Sequence, residues 1–412
     1  MLPSSTDTIV IGGSIAGLMH ALVLKSLGRN VFILEARSAD ELQARAAGLS
    51  LLPHAQELIT KYAPSVDLDE VAFRNRFTQI MNGDGVILTE LPASEDICTS
   101  SWGAIHSLLR EACEDSHGGD GLVIFGMSHR VCGIGEQGST VVVTYSGTDG
   151  IEGRIRASLV IAADGARSFV RSLLMPEVRS EYAGYVAWRG SFPETDVPSE
   201  LKGVLDGKLL MCSFANSYIF AYLTPDLTGS TAPGNRLMEW CWYDDYEASS
   251  SYFNDSMTDA NGVQHNHTVS AHLLRRETWT TQLARRQNTM PSLWHQLLRS
   301  TTKDNLPLLT AICSFDNTTA AFMGGKVMLA GEAFTQLRPH RGASCSIPAL
   351  QALRLAQVPR GGRVPGDAER EVREYVTQQS LSSKAVGVFG MTGKWPEGYV
   401  PSSYAFLKPS ST

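Results

Sequence analysis

The 412-residue sequence has little of what marks several common protein classes. Its 7 cysteines are scattered, and none are paired at C-x-x-C spacing, which argues against a zinc site and against a dense disulfide framework. Lys and Arg number 35 against 42 Asp and Glu, so the net charge of −7 argues against nucleic acid or an anionic membrane as the main partner. No apolar run reaches the roughly 18 residues of a membrane span. The N-terminus lacks the basic region of a signal peptide. We therefore expect a cytoplasmic protein, either a monomer or a homodimer, with free thiols.

The composition that is present predicts a globular protein. At 43% hydrophobic and 19% charged residues, the chain can bury a sizeable core and is neither disordered nor a fibrous rod. Its length exceeds what one compact core usually serves, so two domains or one elaborated α/β domain is expected.

A glycine-rich turn near the N-terminus has the context of a dinucleotide-binding βαβ unit. An apolar strand at 8–11 precedes it, a helix closed by Gly28 follows, and a second apolar strand covers 31–34. Against the pattern G-x-G-x-x-G, Gly12 and Gly17 match and Ser14 takes the middle position. Glu35 ends the second strand, where a carboxylate accepts hydrogen bonds from an adenosine ribose. The alternative is a structural turn with a surface glutamate.

Further along the chain, helical and strand patterns alternate. Period-2 aromatic residues between 183 and 245 predict an antiparallel sheet, and the turn at 82–85 predicts a hairpin. The polar stretch 246–268 predicts a loop. Helices are predicted over 48–63, 103–114, 270–300, 347–357 and 366–385, and a buried strand over 327–334.

Two later segments complete a set of three motifs. The first motif is the turn Gly12–Gly17 with Glu35; the second is "VIAADGARSFVR" at 160–171, and the third is "VMLAGEAFTQLRPHRGAS" at 327–344. Together they resemble the FAD-dependent class A aromatic monooxygenases. Segments 182–190 and 240–246 are similar to the 2,6-dihydroxypyridine 3-hydroxylase branch of that family.

The resemblance implies an α/β fold: a Rossmann-like FAD-binding domain with a parallel sheet, an antiparallel β-sheet substrate domain and C-terminal helices. The FAD-binding domain would comprise 1–75, 101–180 and 319–360. The substrate domain would comprise 76–100 and 181–318, with a C-terminal helical segment and tail at 361–412.

The resemblance also implies which residues form the site. Pro339 and His340 would lie beside the flavin ring, and Asp164 would support both FAD and a transient NADPH or NADH. The positions assigned to FAD are Gly12, Gly13, Ser14, Ala16, Gly17, Glu35, Ala36, Arg37, Arg45, Asp164, Gly331, Glu332, Arg341, Gly342 and Ala343.

Several positions depart from the family pattern. Glu332 replaces an aspartate that hydrogen-bonds the ribityl chain, and Ser344 replaces a frequent glycine. Trp102 lies near the position where many relatives carry an FAD-binding arginine. These changes cluster at the flavin and leave open altered flavin mobility, a changed reaction or weakened binding.

Other candidates come from residue types alone. Aromatic residues that would stack a flat substrate are Tyr185, Trp188, Phe214, Tyr222 and Trp242, with ordinary sheet core as the alternative. His54 is a candidate base, although a surface or capping role fits it equally. His265 and His267 have a metal-ligand spacing, but no third ligand is placed, and a solvated loop is preferred; we therefore predict no metal.

The expected activity is a single-component flavoprotein monooxygenase. It would insert one oxygen from dioxygen into an electron-rich aromatic or N-heteroaromatic substrate through a flavin hydroperoxide. The alternatives are epoxidation or oxidative rearrangement of a secondary metabolite, or a redox-silent family member acting as a scaffold or non-oxidative catalyst.

Overall fold

The computed structural model describes residues 4–43, 47–115, 121–148, 150–226, 229–302, 305–358 and 366–401. Its strands are β1 (Ser5–Ile11), β2 (Val31–Leu34), β3 (Gly48–Leu51), β4 (Phe73–Met81), β5 (Ile87–Ser101), β6 (Val123–Gly126), β7 (Arg130–Gln137), β8 (Thr140–Ser146), β9 (Glu152–Ala162), β10 (Glu181–Pro193), β11 (Lys208–Phe214), β12 (Ser217–Thr224), β13 (Leu237–Asp245), β14 (Thr268–Val269), β15 (Leu308–Ser314), β16 (Ala321–Phe322) and β17 (Val327–Leu329). Its helices are α1 (Ile15–Ser26), α2 (Ala39–Gln43), α3 (Pro53–Tyr62), α4 (Leu68–Val71), α5 (Trp102–Glu114), α6 (Phe169–Leu174), α7 (Ser199–Leu205), α8 (Ser251–Ser256), α9 (Arg276–Arg286), α10 (Ser292–Arg299), α11 (Ser346–Leu355) and α12 (Gly366–Thr392).

The chain divides into two compact units, each built from separate segments. The first unit comprises 1–68, 102–180 and 315–380. The second comprises 69–101, 181–314 and 381–412.

The first unit is organised around a parallel sheet. Its strands run in the order β16-β17-β9-β1-β2-β6, and β1, β2, β6, β9 and β17 pair in parallel. Strands β7 and β8 extend β9 as an antiparallel meander. Strand β2 is buried at every position, as its continuous apolar run predicted. The α/β, Rossmann-like class is therefore confirmed.

Helix α1 joins β1 to β2 and is buried along most of its length. Gly28 adopts φ +70° just beyond it, and its N–H donates to the carbonyl of Lys25 at 2.8 Å. A residue without a Cβ is favoured there because the left-handed conformation is strained for others. This ends the helix and returns the chain to β2.

The second unit contains a mostly antiparallel sheet with strands in the order β14-β15-β10-β13-β12-β11-β4-β5. The pairing of β11 with β4 is parallel, which makes the sheet mixed rather than purely antiparallel. These two strands are separated by the whole 102–180 segment, so no short hairpin forces them to run in opposite directions.

The helix expected to be introduced by Pro53 does begin there, because the fixed φ of proline suits a first helical turn, although residues 48–51 ahead of it form strand β3. Two local expectations were wrong. The strand predicted over 327–334 ends at Leu329, because Gly331 turns the chain with φ +57°. The predicted loop 246–268 contains helix α8, which Ser250 caps by accepting from the N–H of Phe253.

Among the described residues, no helix is long and apolar enough to cross a membrane.

Candidate functional site

The glycine turn after β1 is held so tightly that its glycines admit no side chain. A Cβ on Gly17 would lie 1.9 Å from the carbonyl oxygen of Gly12. A Cβ on Gly12, which has φ +104°, would lie 2.4 Å from the carbonyl oxygen of Ala163. The first motif therefore packs directly against the backbone of the second, as a close βα turn requires.

Helix α1 begins at this turn, and backbone N–H groups of its first turn are available to a ligand. Ser14 is its N-cap, yet the Ser14 side chain makes no capping hydrogen bond. The first N–H groups of an α-helix have no partner within the helix, and its N-terminus carries partial positive charge. This arrangement suits a phosphate or pyrophosphate group.

The carboxylate of Glu35 is buried, with 5% of the residue exposed, and faces the same turn. Its Oε2 accepts from the N–H of Gly13 at 2.8 Å, and its Oε1 accepts from the N–H of Arg37 at 2.9 Å. A carboxylate offers about four acceptor positions. Two therefore remain for neutral hydroxyls such as those of a ribose, while the neighbouring Ala36 side chain is exposed.

His106 is a residue that sequence reasoning missed. Its ring stacks on Trp102 at a centroid distance of 4.4 Å, and its Nε2 lies 3.1 Å from the carbonyl oxygen of Gly13. Because a carbonyl can only accept, Nε2 carries the proton. The side chain of Glu35, just after β2, thus binds the N–H of Gly13, and the side chain of His106 in α5 binds its C=O. The available signal was the i, i+4 spacing of two aromatic rings at the start of α5.

Asp164 in the second motif supports the start of helix α6, whose N-cap is Ser168. Its Oδ1 accepts from the Ser168 hydroxyl at 2.5 Å and its Oδ2 from the N–H of Val170 at 3.2 Å. Burial raises the pKa of this carboxyl, against the effect of these donors. Asp164 is thus a partly desolvated acid beside the glycine turn, since it follows Ala163 directly.

The third motif contacts both of the others. A Cβ on Gly331 would lie 2.9 Å from the Cβ of Ala16, so β17 leads its turn onto the first turn of α1. Gln351 of α11 accepts from the N–H of Gly331 at 2.9 Å.

Arg171, also missed, ties the second motif to the third. It is 6% exposed, and its Nη1 donates to the carbonyls of Glu332 at 3.3 Å and Ala333 at 3.2 Å. Its Nη2 donates to Ala166, and the guanidinium lies 4.1 Å from the centroid of the Phe315 ring. The Glu332 backbone is therefore fixed while its side chain is exposed.

The segment after this turn is a tight 3-10 helix at Pro339–Arg341. Gly342 follows with φ +65°, and a Cβ there would lie 2.6 Å from the Cβ of Ser50. Ala343 is buried behind it. Desolvation, with a smaller effect of Arg338, lowers the pKa of His340 to about 3, so this ring is neutral.

Two further candidates from the sequence are His54 and Arg45. His54 packs edge-on against Tyr375 of α12 at 5.0 Å, a contact between helices of the first unit. It also lies near Glu371. Its assignment as a base stays a prediction. Arg45 lies outside the described residues.

The predicted aromatic substrate residues divide between the two faces of the second unit's sheet. Strand register places Trp188 opposite Trp242, with Phe214 on the same face. This face is filled by a hydrophobic core that includes Trp279 of α9 and Trp294 of α10. Tyr185 and Tyr222 lie on the opposite face. One flat ligand cannot contact both sets. Both sets are buried, Trp188 in the cluster under α9 and α10 and Tyr185 in a cluster that includes Val386 of α12, so their assignment to the substrate stays a prediction.

The histidine pair at 265 and 267 has a structural partner. His265 Nε2 lies 2.8 Å from Oδ2 of Asp259, and the Oδ1 of Asp259 accepts from the N–H groups of Asn261 and Val263. These contacts lower the pKa of Asp259, with the His265 hydrogen bond the largest cause. Within the described part of the chain, no group of three or more His, Cys, Asp or Glu is placed to hold a metal.

The features of the first unit fit FAD, because a glycine cradle, an uncapped helix N-terminus and a buried carboxylate converge there. Comparison with known proteins supports the same cofactor. An FAD binding domain model matches residues 5–198, and an FAD binding domain-like model matches 182–314.

Two curated relatives share similar identity with the chain. It is 26% identical over 365 residues to 2,6-dihydroxypyridine 3-monooxygenase of Paenarthrobacter nicotinovorans, covering 87% of this chain and 84% of that one. It is 25% identical over 206 residues to 6-hydroxynicotinate 3-monooxygenase of Pseudomonas fluorescens, covering 48% and 50%.

Solved structures show the same fold. The structure of 2,6-dihydroxypyridine-3-hydroxylase from Arthrobacter nicotinovorans superposes with a TM-score of 0.79 at 22% identity, covering 98% of this chain and 97% of that one. A salicylate hydroxylase substrate complex superposes with a TM-score of 0.69 at 18% identity, covering 97% and 92%. With its three motifs in one converging site, the chain has an FAD-binding fold and is similar over most of its length to FAD-dependent monooxygenases.

Proposed function

We propose that this protein hydroxylates an electron-rich aromatic or N-heteroaromatic compound with dioxygen, using FAD and a transiently bound NADPH or NADH. The observation that carries the proposal is the convergence of the three motifs on Gly12 and Gly13, with Glu35 on one side and Gly331 on the other. The substrate class is supported by the two curated relatives, which are named for hydroxylated pyridines.

The first unit would bind and orient the cofactor. The turn Gly12–Gly17 and the N-terminus of α1 would hold the pyrophosphate, and Glu35 would accept hydrogen bonds from the ribose. Asp164 and the Gly331–Glu332 turn would lie along the rest of the cofactor, with Pro339 and His340 beside its ring. FAD, when bound, supplies the activation of dioxygen that no side chain can perform.

The second unit would bind the ring to be hydroxylated. An electrophilic oxygen attacks electron-rich carbon, so the sheet must orient the substrate, exclude water and favour loss of the substrate's hydroxyl proton. Tyr185 and Tyr222, on the face not filled by α9 and α10, are suited to contact a flat apolar ligand.

The test begins with the purified protein. We expect it to be yellow, or to become so when FAD is added to apo-protein, and to oxidise NADPH or NADH faster with a hydroxylated pyridine or phenol. Mass spectrometry should show a product with one added oxygen, labelled when ¹⁸O₂ is supplied. Gly12→Val is the matched control, since its side chain would meet the Ala163 carbonyl.

Two results would contradict the proposal. A folded protein that takes up no FAD would favour the redox-silent alternative. Tightly bound FAD with no ligand-stimulated nicotinamide oxidation across the panel would leave a flavoprotein without hydroxylase activity.

A further inference from the structure

The backbone on both sides of Gly13 is held by side chains. Its N–H donates to Oε2 of Glu35 at 2.8 Å, and its carbonyl accepts from Nε2 of His106 at 3.1 Å. Helical bonding begins one residue later, where the N–H of Leu18 donates to the carbonyl of Ser14 at 3.0 Å. The Gly13 carbonyl therefore obtains its hydrogen bond from a side chain of α5 and not from helix α1.

The peptide between Gly13 and Ser14 couples this carbonyl to an N–H group at the start of α1. A trans peptide is planar, so its C=O and N–H point in opposite directions, and no cis bond is present among the described residues. Because the carbonyl is turned towards His106, the Ser14 N–H points away from that ring. Among the hydrogen bonds of the described residues, none is donated by the Ser14 N–H, so this group is available to a ligand.

Glycine at position 13 makes the opposite orientation of this peptide accessible. Packing requires a glycine there, because a Cβ on Gly13 would lie 3.2 Å from the Cβ of Glu35. A residue without a Cβ also allows the following peptide to rotate with little steric resistance. The rotated peptide would present a carbonyl oxygen where the Ser14 N–H had been, and a phosphate group would be repelled instead of bound.

The hydrogen bond from His106 opposes this rotation. In the rotated peptide the Ser14 N–H would face the N–H of the His106 ring, and two donors cannot bond each other. The buried carbonyl of Gly13 would also lose its donor, which costs free energy. His106 therefore favours the one orientation of the peptide that presents an N–H to an anion.

The ring of His106 is itself held in place. It is 4% exposed and stacks on the ring of Trp102, with the ring centroids 4.4 Å apart and the ring planes 16° from parallel. Residues four positions apart lie on one face of a helix, so α5 presents both rings on the same side. The backbone N–H of Trp102 donates to the carbonyl of Ala47 at 2.8 Å, which fixes the start of α5. A ring restrained in this way loses little further freedom when it donates to Gly13.

We propose that His106 is a positioning residue for the cofactor, because it locks the Gly13–Ser14 peptide with its N–H available to the pyrophosphate of FAD. The inference rests on the proposed binding of FAD. His106 acts through the backbone of Gly13 and needs no contact with the cofactor. Since the turn is ordered before the ligand arrives, less conformational entropy is lost on binding.

The test compares two ligands that differ only in their phosphates. ADP contains the adenosine and the pyrophosphate of FAD, whereas adenosine has no phosphate, and titration calorimetry of the flavin-free full-length protein gives both dissociation constants. His106→Phe keeps a ring against Trp102 but has no donor. We expect it to bind ADP and FAD about 2- to 10-fold more weakly, the range for one hydrogen bond, and to bind adenosine as before. A merely structural role would change the affinities for ADP and adenosine by the same factor.

Two further variants locate the effect. His106→Gln retains an N–H donor and should restore part of the ADP affinity. Cys113→Ala is the matched control, because Cys113 also lies on α5 and its sulfur contacts a carbonyl of α1, that of Leu18, at 3.7 Å. This control should lower the free energy of unfolding in urea and leave the ADP affinity unchanged.

Hydrogen exchange of the original protein provides a measurement that needs no variant and stays decisive if His106→Phe does not fold. If the Ser14 N–H donates to a phosphate oxygen, saturating ADP should slow exchange in a peptide that covers residues 12–18. Saturating adenosine should slow exchange there less than ADP does.

Each outcome decides the proposal. It is overturned if folded His106→Phe binds ADP as tightly as the original protein, if ADP and adenosine lose affinity by the same factor, or if ADP protects residues 12–18 no more than adenosine. A protein that binds neither FAD nor ADP would end both this proposal and the proposed function. A protein with the expected affinities but no hydroxylase activity would end only the proposed function.

Discussion

Replacing Glu35 by glutamine tests whether its buried carboxylate serves the cofactor or only the turn. The carboxylate accepts from the N–H groups of Gly13 and Arg37. Glutamine keeps one acceptor oxygen, but its NH₂ group must then face one of these two donors. A hydrogen bond to a charged group contributes about 1.5–3 kcal/mol, so losing one to a ribose hydroxyl should weaken FAD binding by about 10- to 100-fold.

The same substitution should also destabilise the protein without cofactor. The turn loses one of the two bonds made by Glu35, so we expect the free energy of unfolding of apo-protein to fall by about 1–3 kcal/mol. The assay is fluorescence titration of apo-protein with FAD, alongside urea unfolding of the same sample. Comparing the change in FAD affinity with the change in the free energy of unfolding separates the contribution of Glu35 to cofactor binding from its contribution to the stability of the turn.

Asp40→Asn is the control, since Asp40 is an exposed acid of α2 in the same unit. Asp40→Asn should change neither the FAD affinity nor the free energy of unfolding. If folded Glu35→Gln protein binds FAD as tightly as the original, the carboxylate does not contact the ribose and the reasoning about this site fails.

Three further predictions concern the first unit. Gly12→Val should yield protein without flavin, because the new side chain meets the Ala163 carbonyl; full retention of FAD on gel filtration would place the pyrophosphate elsewhere. Glu332→Asp shortens the side chain by about 1.5 Å, and we expect a slightly higher FAD dissociation constant; tighter binding would show that the glutamate had pointed away from the ribityl chain. Burial lowers the pKa of His20 from 6.5 to about 4, with its hydrogen bond to Ala16 acting in the opposite direction. The unfolded chain therefore takes up the proton first, and stability should fall as pH decreases from 6.5 towards 4, whereas His20→Leu should flatten this part of the urea-stability profile.

Much of the fold follows from local sequence patterns. The strand–glycine–helix–strand order predicted the parallel sheet, because Gly12 and Gly28 mark turns that few other residues can form. Aromatic residues at every second position predicted the second sheet, and this pattern too lies within single strands. Both inferences need only the residues within one or two elements.

What the sequence did not reveal depends on contacts between distant elements. Arg171 and Glu332 are 161 positions apart, and nothing near either residue indicates that a guanidinium spans them. Alternation placed Trp188 and Tyr185 on opposite faces, but only the packing of distant elements shows what covers each face: α9 and α10 on one, and Val386 of α12 on the other. His106 likewise gained its role from the register of α5 against the glycine turn.

The discontinuity of the first unit has a consequence for synthesis on the ribosome. Strand β1 is made early, but β17 and the Gly331 turn that packs on Ala16 emerge only after the whole 181–314 segment has been translated. Contacts of such long sequence separation form slowly, because a large loop must close before they stabilise anything. A nascent chain released before residue 315 would thus expose the edge of β9 that β17 covers, and it would have no complete cofactor cradle. Quality control by proteases and chaperones should therefore act most strongly on chains that end before residue 315.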